Sequence, residues 1–423
     1  MIRKNLFQKG IDCDSTRAGF GRGLVELGKV NDNVWALTAD LAGSTCMSGF
    51  MNTFPERFVQ VGVAEQNLVT VASGIASMGK TVFASSFAAF APGRCWEQIR
   101  TTICYNNQPV VVVGSHTGLG VGEDGATHQM LEDISLMRVL PNMVVVVPCD
   151  AIQSEKATLA LAKNNAPAYL RVARQKAPTM TLASTSFKLG EAQVFVEGSD
   201  LVIFACGPII FEALLAANEL KKKKISVAVI NVHTIKPLDN KTIIKYAKKC
   251  GAFITLEDHQ VAGGLGSVVS ECLSRNYPVL GEFIGMNDEF GESGPADELF
   301  WKYGLTSDRI ITKALKLLSK KNNSNMILPK KTVSKRTKVK KTISKKAVVL
   351  KKVAAKKVSS KKVGLKKVVK KTTSKNVAPK KITSKNNLAK KTASKKVIKK
   401  VAPKKVASKK DSNKIVKKSK FKK

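Results

Sequence analysis

One carboxylate stands in a run of small and apolar residues: Glu65 in Val61-Gly-Val-Ala-Glu-Gln-Asn-Leu-Val-Thr-Val-Ala-Ser-Gly-Ile-Ala76. A carboxylate taken out of water without a partner loses solvation or takes up a proton, so an acid in such a run is paired or moves protons. A second option is a place in a first helical turn, because Leu68, Val71, Ala72 and Ile75 follow at helical spacing. The other concentration of chemistry is His116-Thr-Gly-Leu-Gly-Val-Gly-Glu-Asp-Gly-Ala-Thr-His-Gln129. It places two of the four histidines and two acids in one glycine-rich loop after a Val-rich strand. Loops at strand C-termini border the crevice of an open α/β sheet, where binding groups collect.

The Val-Gly-Val-Ala-Glu-Gln block, the later Ser85-Ser-Phe-Ala-Ala-Phe90 and the 116–129 loop together resemble the pyrimidine-binding domain of transketolase-type thiamine-diphosphate enzymes. The resemblance covers about residues 12–318, densely over 60–150 and more thinly over 190–280. It implies that Glu65 hydrogen-bonds the aminopyrimidine ring of thiamine diphosphate and serves as its proton site. It places Phe87 and Phe90 around that ring and Leu41 beneath the thiazolium. His116 would contact the sugar phosphate, Asp124 a sugar hydroxyl, and His128 the reacting end of the substrate. Arg17, Ser44 and Arg174 would hold the phosphate, a task that suits the planar fork of arginine. Two core aromatics would also explain Phe87 and Phe90, and a leucine such as Leu41 is core by default. The family carries a third aromatic three residues after the second, where this sequence has Gly93.

These residues need a scaffold, and short apolar runs alternating with helical-period segments supply one: a parallel sheet covered on both faces. Strands are expected at Val34–Thr38, Thr81–Ala84, Pro109–Ser115, Met143–Pro148 and Ala168–Val172, with helices at 66–78, 93–105 and 150–163, the last capped by Asp150. Residues 176–190 lose the periodicity and read as a linker. A second α/β layer follows, with strands at 201–206, 225–232, 252–257 and 278–285 and helices at 208–222, 240–249, 263–275 and 308–319. Phe290-Gly-Glu-Ser-Gly-Pro-Ala-Asp-Glu-Leu-Phe300 matches the transketolase C-terminal domain, and this layer is assigned to assembly and architecture. The glycines of Ala262-Gly-Gly-Leu-Gly266 are expected to let a helix approach its sheet.

Charge separates a third region. Residues 1–320 hold 32 basic and 30 acidic side chains and residues 321–423 hold 40 and 1, giving +2 and +39 of the total +41. The expected organisation is a pyrimidine-binding domain at 1–180, a transketolase C-terminal domain at 187–320 and a disordered Lys-rich tail at 321–423. The tail has a degenerate ten-residue repeat without an apolar face, and its only aromatic is Phe421. Its composition suits sequence-independent contact with the phosphates of nucleic acid or another polyanion; a solvated appendage is the alternative. The eight cysteines form no Cys-x-x-Cys, several sit in apolar runs as core thiols, and no metal site is assigned to the chain itself. No segment has the length of a membrane span, and a cytoplasmic setting is expected.

The family binds the cofactor's diphosphate through a divalent metal held by Gly-Asp-Gly, and that tripeptide is missing from the sequence. The resemblance therefore implies a split transketolase. A separate N-terminal subunit would hold the diphosphate and Mg2+ or Ca2+, the two kinds of chain forming a heterotetramer. The implied reaction is transfer of a two-carbon ketol unit from a ketose phosphate to an aldose phosphate, as in the pentose phosphate pathway. Rivals are a 1-deoxyxylulose-5-phosphate synthase, a 2-oxoacid dehydrogenase beta subunit, and a basic nucleic-acid-binding protein with an idle domain. The intact Gly122-Glu-Asp-Gly-Ala-Thr-His128 and Phe290-Gly-Glu-Ser favour transketolase, and Glu65, Asp124 and His128 together argue against an idle site.

Overall fold

The computed structural model describes residues 2–8 and 10–327. The expected Lys-rich tail lies, from residue 328 onward, outside the described residues. Two sheets organise the described chain. The first has seven strands in the order Thr234–Lys236, Val144–Val146, Ala168–Arg171, Val110–Ser115, Thr81–Phe87, Val34–Thr38 and Phe58–Gln60, all parallel except the first. The second has five, Leu280–Met286, Ala252–Gln260, Leu201–Ala205, Val227–Asn231 and Gln193–Val196, with only the last antiparallel.

The Val-rich strand shows why these runs form buried parallel sheets. Successive strand side chains point to opposite faces, and here Val110 and Val112 enter one apolar cluster while Val111 and Val113 enter another. All four are shielded from water, each worth roughly 1.5–3 kcal/mol relative to exposure. Val202 and Phe204 likewise face one cluster and Leu201, Ile203 and Ala205 another. The cluster holding Val110 and Val112 also holds Val202 and Phe204, so the two layers share a core.

The structure corrects three expectations and adds one edge strand that the sequence did not mark. Residues 176–190 are not wholly a linker: Lys176–Pro178 pairs antiparallel with Cys13–Ser15, a strand too short to carry a period. The segment read as helix 93–105 begins at Trp96 and passes into a π-helix over Ile99–Cys104. Thr234–Lys236 from the second domain adds an edge strand to the first domain's sheet. The last helix, Ser307–Ile327, runs past the expected end near Lys320. Asp150 does cap its helix, accepting from Gln153 N at 2.8 Å. No described helix is long and apolar enough to cross a membrane.

The glycines at 263–266 act through close approach. A Cβ on Gly264 would lie 2.0 Å from Glu257 Oε2, and that carboxylate accepts from Leu265 N and Gly266 N at 2.7 Å each. A buried acid thus satisfies the first turn of the helix Leu265–Asn276. Six of the eight cysteines, at 95, 104, 149, 206, 250 and 272, are buried, and burial pushes the Cys95 thiol up to about 12.

Candidate active site

Parallel strands deliver their C-terminal ends to one edge, and the candidate residues follow those ends. Leu41 and Ser44 come after Val34–Thr38, Phe87 and Phe90 at the end of Thr81–Phe87, His116 after Val110–Ser115, and Arg174 after Ala168–Arg171. Glu65 opens the helix Glu65–Ser77, which follows the strand Phe58–Gln60. This is the edge at which open α/β sheets bind ligands.

Glu65 is 3% exposed at the first helical position, behind an Ala64 that has no capping side chain. Its charge partner is Arg94, with Nη1 3.6 Å from Oε2. The first-turn and paired readings both hold, and the carboxylate is desolvated as well. Arg94 lies 5.1 Å over the Phe90 ring, Phe90 stacks on Phe87 at 6.1 Å, and the His116 ring stacks on Phe87 at 3.8 Å. His128 meets Phe90 edge-on at 5.5 Å and Phe87 at 6.4 Å. Glu65, Phe87, Phe90, His116 and His128 are therefore linked by one chain of contacts, although they come from separate segments of the sequence.

The cationic side begins at Arg17, whose Nη1 donates to the Ser44 carbonyl at 2.6 Å and lies 3.4 Å from His116 Nε2. Ser44 thus enters through its backbone. Leu41 is half-buried, and its carbonyl accepts from Thr45 N and Thr45 Oγ1, which holds the loop. His116 is buried and has φ 57°, with Nδ1 2.9 Å from Ser115 Oγ. Burial first, then the charges of Arg17, Arg174 and His128, push its pKa down to about 3, so the ring is a neutral hydrogen-bonding group near pH 7. Arg174 donates to Val121 O at 2.6 Å and pairs with Glu123 at 3.3 Å and Asp124 at 3.8 Å. This half-exposed arginine is held by the 116–129 loop itself.

Gly93 occupies a place with no room for a side chain, since a Cβ there would sit 2.2 Å from Ala89 O. The backbone after Phe90 turns too tightly for a third aromatic. Sequence reasoning missed Arg94, the partner of Glu65. Its one signal is a cation set in the otherwise uncharged stretch from Thr81 to Trp96.

Two α/β layers with a site of carboxylate, aromatic faces, histidines and arginines at the strand ends define a cofactor-assisted enzyme domain joined to a second layer. The chain matches the transketolase pyrimidine binding domain over residues 14–180 and the transketolase C-terminal domain over residues 190–310. It is 43% identical over 309 residues to a Methanocaldococcus jannaschii protein named as a transketolase C-terminal section, covering 72% of this chain and 96% of that one. It is 40% identical to a 6-deoxy-6-sulfo-D-fructose transketolase subunit of a Clostridium species, over 71% and 93% of the two chains. A solved structure titled as a split gene transketolase, inactive beta4 tetramer, shares 42% identity over 72% of this chain and 98% of that one, with a TM-score of 0.67. The chain belongs to the transketolase family, a family of transferases whose domains imply dependence on thiamine diphosphate. It corresponds to the C-terminal, split-type section: pyrimidine-binding domain plus C-terminal domain.

Proposed function

We propose that this chain is the pyrimidine-side subunit of a two-subunit transketolase that moves a two-carbon ketol unit from a ketose phosphate to an aldose phosphate. The observation that carries the reading is the contact chain from Glu65 through Arg94, Phe90 and Phe87 to His116 and His128. A desolvated carboxylate beside two aromatic faces fits a flat aminopyrimidine, which needs ring contacts and one proton site. Bound there, thiamine diphosphate would supply the carbanion chemistry. Glu65 would hold the proton at the ring, and Phe87, Phe90 and Leu41 would fix its orientation. Arg17, His116 and Arg174 would bind the phosphate end, with the Ser44 carbonyl aiming Arg17, while Asp124 takes a hydroxyl. His128 would hydrogen-bond the reacting end. A separate N-terminal subunit would hold the diphosphate and its Mg2+ or Ca2+, the two kinds of chain assembling as a heterotetramer in the cytoplasm and serving pentose phosphate interconversion.

Two features support this: relatives named as transketolase subunits are matched over nearly their whole length, and one solved relative is titled a split gene transketolase, inactive beta4 tetramer. The test mixes the purified chain with an N-terminal subunit, thiamine diphosphate and Mg2+. Ketol transfer is expected from the mixture and from neither chain alone; transfer by the single chain overturns the two-subunit reading. Formation of 1-deoxyxylulose 5-phosphate instead would favour the synthase rival.

The Lys-rich segment supports a second role, since its +39 charge suits counterion release from a polyanion. DNA binding by the full chain is expected to exceed that of a chain ending at Ile327 and to fall steeply with salt. Equal binding by both at moderate salt removes this role.

A further inference from the structure

The loop that carries Asp124 and His128 has an unusual shape, and much of what holds it comes from the second domain. Its base is closed by Gly118 N donating to Met130 O at 2.9 Å. From there it winds through a 3-10 turn, Leu119–Asp124, broken at Gly122 with φ 79° and ψ −119°. A short turn with a broken middle does not keep itself in register, so outside contacts must fix it.

Two side chains supply them. Asp258, on the second domain's strand Ala252–Gln260, is partly buried and accepts from Leu119 N at 2.9 Å through Oδ1. Its closeness to the loop needs a glycine: a Cβ on Gly118 (φ +74°) would fall 1.9 Å from Asp258 Oδ2. Its own carbonyl is fixed by Arg171 Nη2 at 2.9 Å, and Arg171 is locked in turn by Asp133 at 2.7 Å. A carboxylate drawn partly out of water is costly unless hydrogen-bonded, and this one gives Oδ1 to the loop. Gln129 works from the other end. Its side-chain amide donates to Gly122 O, at the break, at 3.3 Å and to Glu292 O of the second domain at 2.9 Å. It is wedged against Gly291, where a Cβ would lie 2.0 Å from Oε1.

We propose that Asp258 and Gln129 are positioning residues for the sugar phosphate site: the second domain, through them, sets the shape of the loop that presents Asp124 and His128. The second layer thus has a part in substrate binding beyond assembly. The inference rests on the substrate role given above to that loop.

The test uses the full chain with Asp258→Leu, which removes the acceptor of Leu119 N at similar volume, and Gln129→Met, which deletes the amide donor at similar volume and no change of charge. Amide hydrogen exchange by mass spectrometry over peptides spanning 117–130 is compared with the strand Val110–Ser115. Exchange in the loop is expected to rise about tenfold to a hundredfold in each variant while the strand stays unchanged, as loss of a buried hydrogen bond requires. In enzyme reconstituted with the N-terminal subunit, KM for the ketose phosphate is expected to rise at least about tenfold with a smaller change in kcat. If Asp258→Leu does not fold, Gln129→Met decides. Wild-type exchange in the loop of the folded variants, or a lower apparent kcat with KM unchanged, overturns the proposal. A wild-type mixture that transfers no ketol unit refutes the proposed function instead, and the exchange measurement on the chain alone still decides whether the two residues hold the loop.

Discussion

His116 and His233 are neutral in the folded protein, and this should be visible as acid sensitivity of its stability. Burial is the first cause in both: it pushes His116 down to about 3 and His233 down to about 4, from an ordinary value of 6.5. Folded values below the unfolded value mean that, as pH falls through 6.5, the unfolded chain takes up protons that the folded chain refuses. Stability is then complete above pH 6.5 and is lost progressively down to the folded values. One pH unit is worth about 1.4 kcal/mol per group, so at pH 5 each histidine costs about 2 kcal/mol and the two together about 4 kcal/mol. His259, pushed to about 4, is kept out of this sum because Glu257, 3.6 Å away and raised to about 8 by burial, contributes with the opposite sign. Denaturant unfolding of wild type and a His116→Gln, His233→Gln variant at pH 7.5 and 5.0 isolates the two groups, since other titrations cancel in the difference. The wild type should lose about 4 kcal/mol more than the variant over that interval. A variant that keeps the full wild-type pH dependence would show that these rings are protonated in the folded chain and refute the argument.

Three further outcomes follow from the geometry. Glu65→Gln in the reconstituted enzyme should lower kcat by about a hundredfold to ten-thousandfold, while thermal unfolding hardly moves. The ion pair that Glu65 would give up is with a mostly exposed arginine, worth about 0.2–1 kcal/mol; near-normal turnover removes Glu65 from the chemistry. Gly93→Ala puts a Cβ 2.2 Å from Ala89 O, and the forced backbone shift should cost about 1–3 kcal/mol in denaturant unfolding and weaken cofactor binding through Phe90. Asp150→Ala removes a fully buried carboxylate that accepts from Gln153 N, Thr181 N and Thr181 Oγ1. Leaving those donors unpaired should cost about 3 kcal/mol or more in the same measurement.

How far the sequence reveals this molecule depends on where each signal is stored. The strand Val34–Thr38 is legible to the residue because a strand buried on both faces is a short apolar run with clear ends. The helix Thr16–Val30 is not, because Gly19, Gly21, Gly23 and Gly28 read as poor helix formers. They are there for packing: a Cβ on Gly19 would lie 2.0 Å from Ala151 O, so a neighbouring helix overrides propensity. The site divides in the same way. Glu65, His116, Asp124 and His128 lie in compact blocks whose letters carry their meaning. Arg94 and Asp258 do not, since each is chosen by a partner distant in sequence: Asp258 meets Leu119 across 139 positions and stands in an ordinary Glu257-Asp258-His259 at a strand end. Groups that touch a ligand must share a loop or a strand edge and so leave local patterns. Groups that aim those loops need only arrive at the right point of the folded chain, which is why the second domain reads from sequence as architecture and in three dimensions holds the loop of Asp124 and His128.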